Sequence, residues 1–108
     1  MVWITGAGSG LGKEMAVCYA KQGSVVVLSG RRAERLSVTA EGVAAAGGLA
    51  VVAPCDVTVP STLIQVVDMI EARFGRLDVV IANAGTAVSG TVVKVSAEQW
   101  NRQFAVNV

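Results

Sequence analysis

The chain contains no histidine and only two cysteines, so several common kinds of site cannot be assembled from its residues. Without histidine, a zinc triad and a serine or cysteine nucleophile activated by an imidazole are both excluded within these 108 residues. Cys18 and Cys55 are too far apart in the sequence to form a C-x-x-C metal or redox pair. We therefore expect reduced cysteines, no metal ion and a cytoplasmic location.

Charge is also scarce, because charged residues make up only 16% of the chain and their formal net charge is +1. This balance does not favour a nucleic-acid-binding surface. No apolar run reaches the roughly 18 residues of a membrane span, and the start lacks the basic segment of a secretory signal. The 53% hydrophobic content excludes a disordered chain. We expect one domain over residues 1–108 that binds neither nucleic acid nor membranes.

Short apolar runs alternate with longer amphipathic stretches four times along the chain. The predicted strands are Val2–Thr5, Val25–Leu28, Leu49–Ala53 and Asp78–Ala82; the predicted helices are Lys13–Gln22, Ala33–Ala46, Ser61–Phe74 and one that begins at Ser96. In the first helix the spacing places Met15, Cys18 and Tyr19 on one face, and a loop rich in glycine and threonine follows the fourth strand. This alternation predicts a parallel α/β sheet, whose ligands bind at the carboxyl ends of the strands.

The first of these strand ends leads into a glycine-rich segment that runs from Thr5 to Gly12. Four glycines within seven residues, between a strand and a helix, are typical of a phosphate-binding turn. A Walker A loop does not fit, because Ala7 stands at its first glycine position and Glu14 replaces its serine or threonine. The G-x-G-x-x-G spacing does not fit either. A glycine-rich connection without any ligand is the alternative interpretation.

The segment Thr5-Gly-x-x-x-Gly-x-Gly12 resembles the cofactor loop of the short-chain dehydrogenases/reductases. The resemblance continues, in the order of that family, at Asp56, at Ala82-Asn-Ala-Gly85 and at Asn107. It implies a Rossmann-type, doubly wound parallel sheet of the α/β class, with its first four strands in the order 3-2-1-4. It also implies NAD(P)(H) as cofactor and hydride transfer between an alcohol and a ketone.

The resemblance assigns a role to each matching position. The residues expected to hold the cofactor pyrophosphate are Gly6, Ser9, Gly10, Leu11 and Gly12. Those expected to frame its adenosine and ribose are Arg31, Arg32, Asp56, Val57, Asn83, Ala84 and Gly85. Asn107 matches the asparagine of the family's catalytic tetrad, which holds a water molecule near the active-site lysine.

The residues after the second strand bear on the choice of cofactor. Gly30 stands where an NAD-binding protein places an acidic residue, and Arg31 and Arg32 follow it. A guanidinium there can pair with a 2′-phosphate, so we expect NADP(H) to be favoured over NAD(H). The alternatives are that both arginines are solvated charges at a helix start, and that Asp56 is a turn former or helix cap.

The family's catalytic serine and Tyr-x-x-x-Lys pair have no counterpart in residues 1–108. Tyr19 is the only tyrosine, and glycine stands four residues after it. We therefore expect 1–108 to be a single, truncated cofactor-binding domain whose C-terminal half is missing, with the outer edge of the fourth strand unpaired. The complete parent is expected to be an oxidoreductase and a homo-oligomer.

Two other functions remain open from the residues alone. A non-catalytic nucleotide-binding module, regulatory or scaffolding, agrees with the missing Tyr-x-x-x-Lys pair. Coding sequence beyond Val108 separates this from an enzyme, since a serine followed by Tyr-x-x-x-Lys indicates catalysis. A P-loop nucleotide hydrolase is disfavoured by Ala7 and Glu14.

The polypeptide of residues 1–108 is predicted to show no dehydrogenase activity. Proton transfer to the substrate oxygen needs a phenol whose pKa is lowered by a nearby ammonium group, and this pair is absent from the sequence. Purified polypeptide incubated with NADPH and a panel of ketones should consume NADPH no faster than buffer, with a complete dehydrogenase as positive control. Protein-dependent loss of NADPH absorbance would contradict the prediction.

Overall fold

The computed structural model describes residues 1–8, 10–56, 58–82 and 91–94. The strands are β1 (Val2–Thr5), β2 (Val25–Ser29), β3 (Leu49–Val52), β4 (Val79–Ala82) and β5 (Thr91–Lys94); the helices are α1 (Gly10–Lys21), α2 (Ala33–Ala45) and α3 (Pro60–Phe74). The predicted elements in this part of the chain are confirmed, with ends shifted by no more than three residues. The helix predicted from Ser96 lies outside the described residues.

The sheet has the order β3-β2-β1-β4-β5, and its first four strands are parallel. The predicted order 3-2-1-4 is confirmed. Thr5, the last residue of β1, lies opposite Ser29 on one side and Ala82 on the other. Because these ends are level, the segments that follow β1, β2 and β4 all leave the sheet at the same edge, where the sequence predicts the ligand site.

The outer edge of β4 is paired, so the expectation of an unpaired edge is wrong. β5 runs antiparallel to β4, with Val93 opposite Val80 and Val92 opposite Ile81. An antiparallel neighbour satisfies the backbone N–H and C=O groups that an edge strand would otherwise expose. The β-branched run Thr91-Val-Val is typical of a strand, but the glycines before it favour a loop.

Helix α1 contacts the sheet through small residues rather than through the face predicted from the sequence. Its buried residues are Gly12, Ala16 and Ala20, spaced four apart. Met15 and Tyr19 are partly buried beside this stripe, whereas Cys18 is exposed. Small side chains bring the helix axis close to the strands, and this close packing displaces the larger residues to the flanks.

The two faces of the sheet support separate cores because neighbouring strand residues point to opposite sides. Ile4, Val26 and Leu28 pack on the side of α1 and α2. Trp3 and Val27 pack on the other side, against α3. The buried face predicted for α3 is confirmed, with Val66, Val67 and Ile70 buried and Leu63 packed against them. None of the helices in the described part of the chain is long and apolar enough to cross a membrane.

Two glycines of the α2–β3 region provide a matched test of this packing. A Cβ on Gly48 would lie 2.6 Å from the Cβ of Ala20, so Gly48→Ala should lower the free energy of unfolding by about 1–3 kcal/mol. A Cβ on Gly42, inside α2, would make ordinary contacts at 3.6 Å and beyond. Gly42→Ala should therefore raise the free energy of unfolding by about 0.5–1 kcal/mol. Chemical denaturation measures both changes, and effects of equal sign would contradict the described packing.

Candidate functional site

The glycine-rich segment forms a turn that is fixed to the end of β2. Gly6 adopts a left-handed backbone conformation, with φ of 66°, and the N–H of Ala7 donates a hydrogen bond to the carbonyl of Ser29 at 3.0 Å. Helix α1 begins at Gly10, three residues before the predicted start at Lys13. Gly10, Leu11 and Gly12 therefore belong to the first turn of a helix, where backbone N–H groups and the helix dipole favour an anion.

Gly12 is required by the packing of this turn. A Cβ on Gly12 would lie only 2.3 Å from the carbonyl oxygen of Gly6 and 2.9 Å from the Cα of Ala7. No side chain fits there, because both neighbours are backbone atoms of the turn itself. The glycine at this position lets the start of α1 lie directly against the turn that follows β1.

Gly10 has a different reason to be glycine. Its φ is not positive, and a Cβ on it would meet no atom of the described residues within 4 Å. The fold described here therefore does not require glycine at this position. A bare backbone at the exposed start of a helix instead leaves space for a phosphate to approach the N–H groups closely. This observation favours a ligand-binding turn over a plain connection.

Thr39, which is not among the predicted site residues, holds the glycine turn from the side of α2. Its fully buried hydroxyl donates a hydrogen bond to the carbonyl of Ala7 at 2.8 Å. Leu36 and Val43 are the other buried residues of α2, so a lone threonine interrupts an apolar stripe. A polar residue between Leu36 and Val43, at the spacing of one helical face, is the sequence signal that could identify Thr39.

Ser29 and Trp3, also missed, connect the strands at the same edge. The indole N–H of Trp3 donates to the hydroxyl of Ser29 at 2.8 Å, and that hydroxyl donates to the carbonyl of Ala53 at 2.7 Å. The backbone adds a bond from the N–H of Cys55 to the carbonyl of Gly30 at 3.0 Å. These buried bonds fix the segment after β3 against the segment after β2, so Asp56 and Arg31 emerge from neighbouring positions.

Asp56 closes a turn before α3. Its Oδ1 accepts hydrogen bonds from the hydroxyl and the N–H of Thr58, at 2.6 and 2.9 Å, and its own N–H donates to the hydroxyl of Thr62. The hydrogen bonds from Thr58 lower the pKa of the Asp56 carboxyl, with a further contribution from the charge of Arg31. Val59 is the N-cap of α3, so Asp56 acts as a turn former and not as its cap.

Arg31 and Arg32 are both exposed where the chain passes from β2 to α2. Arg31 is close enough to Asp56 to affect its pKa, so the structure brings these two predicted residues together. Arg32 occupies the N-cap position of α2 and makes no capping hydrogen bond with its side chain. A Cβ on Gly30 would lie 3.3 Å from a terminal methyl of Leu36, which leaves space for a side chain after a small shift.

Several predicted site residues lie outside the described residues. They are Ser9, Val57, Asn83, Ala84, Gly85 and Asn107. Within the described part of the chain, no group of three or more cysteine, aspartate or glutamate side chains could hold a metal ion.

A glycine turn and a helix start at the carboxyl edge of a parallel sheet define an α/β protein of the nucleotide-binding type. The family model described as short chain dehydrogenase matches residues 1–108, the whole chain. The chain belongs to the short-chain dehydrogenase family.

Known relatives agree with this assignment. The Mycobacterium tuberculosis protein named "Probable oxidoreductase EphD" is 35% identical over 108 residues, which are 100% of this chain and 18% of that relative. A short-chain type dehydrogenase/reductase from Mycobacterium marinum superposes with a TM-score of 0.76 and 33% identity, over 94% of this chain and 41% of that one. A metagenomic short-chain oxidoreductase in complex with NADP superposes with a TM-score of 0.70 and 32% identity, over 74% of this chain and 37% of that one. The chain thus spans less than half the length of these relatives.

The two glycines at the start of α1 separate the demands of folding from those of binding. Gly12→Ala should lower the free energy of unfolding by about 1–3 kcal/mol, because its Cβ collides with backbone atoms. Gly10→Ala should change it by less than about 1 kcal/mol and yet weaken NADPH binding about tenfold, since the methyl group occupies the ligand's approach. Denaturation and fluorescence titration measure the two effects. Full NADPH affinity in Gly10→Ala would contradict the assignment.

Proposed function

We propose that this protein is an oxidoreductase that transfers hydride between NADP(H) and an alcohol or ketone. The observation that carries the proposal is the turn at the start of α1, where Gly12 is required by packing and Gly10 is not. The bound cofactor supplies the hydride. The described residues fit such a group, since the start of α1 is exposed at Gly10, where a Cβ would meet nothing within 4 Å, and a helix N-terminus favours an anion.

In this proposal the two halves of the cofactor lie along one edge of the sheet. The pyrophosphate is held by Gly6, Ser9, Gly10, Leu11 and Gly12. The adenosine and its ribose are framed by Arg31, Arg32, Asp56, Val57, Asn83, Ala84 and Gly85. The hydrogen bonds that fix Asp56 in its turn support its role in adenine recognition, because a carboxylate held in one orientation binds an amino group at a lower entropic cost.

The preference for NADP(H) rests on charge at the end of β2. Gly30 carries no carboxylate that would repel a phosphate, and Arg31 presents an exposed guanidinium one residue later. An ion pair between arginine and phosphate is charge-assisted and can be bidentate. The related metagenomic oxidoreductase was solved in complex with NADP, which supports NADP(H) as a cofactor here.

The proposal extends to the protein from which these residues come. Its catalytic serine and Tyr-x-x-x-Lys pair are supplied from outside residues 1–108, and Asn107 joins them through a bound water molecule. The protein acts in the cytoplasm as a homo-oligomer. The alternative of a non-catalytic nucleotide-binding module keeps the same cofactor site, and it predicts that these catalytic residues are absent.

Cofactor preference is the direct test of the proposed site. The wild-type chain should bind NADPH at least tenfold more tightly than NADH, because one charge-assisted contact to phosphate is worth about 1.5–3 kcal/mol. The double variant Gly30→Asp, Arg31→Ala should erase or reverse this preference by introducing a repelling carboxylate and removing the guanidinium. Titration calorimetry with both cofactors gives the four dissociation constants.

The matched control is Arg73→Ala. Arg73 is an exposed arginine in the last turn of α3, where its guanidinium lies over the Phe74 ring at 5.4 Å. Arg73→Ala removes one positive charge, which is half of the change in the double variant, so a general electrostatic effect would appear in it at about half the size. Tighter binding of NADH by the wild-type chain, or an unchanged preference in the double variant, would refute the assignment of Arg31.

A further inference from the structure

Arg35 lies against the glycine turn, although it belongs to α2. A Cβ on Gly8 would be only 2.9 Å from the Cβ of Arg35 and 3.8 Å from its Cδ. The aliphatic stem of Arg35 therefore runs along the outer surface of the turn. Arg35 is exposed, so its guanidinium extends into solvent beside the same turn whose far end is the start of α1.

The same backbone contacts place this turn beside Arg31. Ala7, the neighbour of Gly8, is bonded to the carbonyl of Ser29, two residues before Arg31. Arg35 is the third residue of α2, and its N–H donates to the carbonyl of Arg32 at 3.1 Å. Arg31, just before α2, and Arg35, in its first turn, therefore both lie near the glycine turn and the end of β2.

Asp56 lies close enough to Arg31 for the arginine charge to lower the pKa of its carboxyl, whereas no salt bridge to Arg35 is formed in the described part of the chain. Two salt bridges of the described residues, from the N-terminal amine and from Arg76, are made by Asp78 at the opposite edge of the sheet. Arg31, Arg32 and Arg35, with Glu34 among them, leave a net positive charge within five residues. Like charges at this spacing repel one another, and a bound dianion offsets that repulsion by attracting each of them.

We propose that Arg35 is a second specificity-determining residue, which pairs with the 2′-phosphate of NADP(H) from the side opposite Arg31. This inference rests on the proposed function and deepens it. A phosphate has enough oxygen atoms to accept paired N–H donors from both guanidiniums. Gly8 has a role in the arrangement, since a side chain at that position would displace the stem of Arg35 from the turn.

The test is Arg35→Met, which keeps an apolar stem over Gly8 and removes the charge. NADPH affinity should fall about tenfold, whereas NADH affinity should stay within about twofold, because only NADPH carries the 2′-phosphate. Adenosine 2′,5′-bisphosphate against 5′-AMP repeats the comparison without the nicotinamide half of the cofactor. Arg35→Lys keeps the charge but lacks the planar fork, and should lose affinity for NADPH by an intermediate factor.

Two results would overturn the inference: unchanged NADPH affinity in Arg35→Met, or an equal loss for both cofactors, which indicates a structural effect or a pyrophosphate contact. Thermal unfolding of each variant shows whether the fold is retained, and Arg35→Gln decides the question if Arg35→Met does not fold. A wild-type chain that binds neither cofactor, or prefers NADH, contradicts the proposed function itself. A wild-type preference that survives in Arg35→Met contradicts only the role of Arg35.

Discussion

The close contact between the start of α1 and the turn after β1 is the constraint on which the site depends. The Cα of Gly12 approaches the carbonyl of Gly6 and the backbone of Ala7 so closely that no side chain fits between them. Ala16 and Ala20 continue the same contact along the helix, and Gly48 fits against Ala20 in turn. The positions that bring α1 onto the sheet also direct its N-terminus toward the edge where ligands bind.

Two buried hydroxyl groups hold the two halves of this edge in place. Thr39 reaches from α2 to the carbonyl of Ala7 and fixes the glycine turn. Ser29 accepts a hydrogen bond from Trp3 and donates one to Ala53, which fixes the segments carrying Arg31 and Asp56. Each hydroxyl satisfies a backbone carbonyl that burial would otherwise leave unpaired at a cost of about 1–3 kcal/mol. The loops of the site are therefore positioned by the core beneath them.

The strands, their order and the glycine turn could be predicted because apolar runs and glycine spacing are local signals. The start of α1 at Gly10 could not be predicted, since glycines are poor helix formers. Gly10 and Gly12 belong to the helix because Gly12 packs against the turn after β1. The buried stripe of α1 could not be predicted for a related reason: hydrophobic periodicity favours large residues, whereas close packing selects alanine and glycine. β5 and the positions of Thr39 and Arg35 beside the glycine turn depend on contacts between distant segments, which no local pattern contains.

The position of β1 in the middle of the sheet has a consequence for synthesis on the ribosome. β1 emerges before the other described strands of this sheet, and β2 can pair with one of its edges early. Its other edge waits for β4, since Ile81 follows Thr5 by 76 residues. At a translation rate of about 5–20 residues per second this delay is roughly 4–15 seconds. During that interval an apolar strand with one open edge is a binding site for chaperones that recognise extended hydrophobic chain.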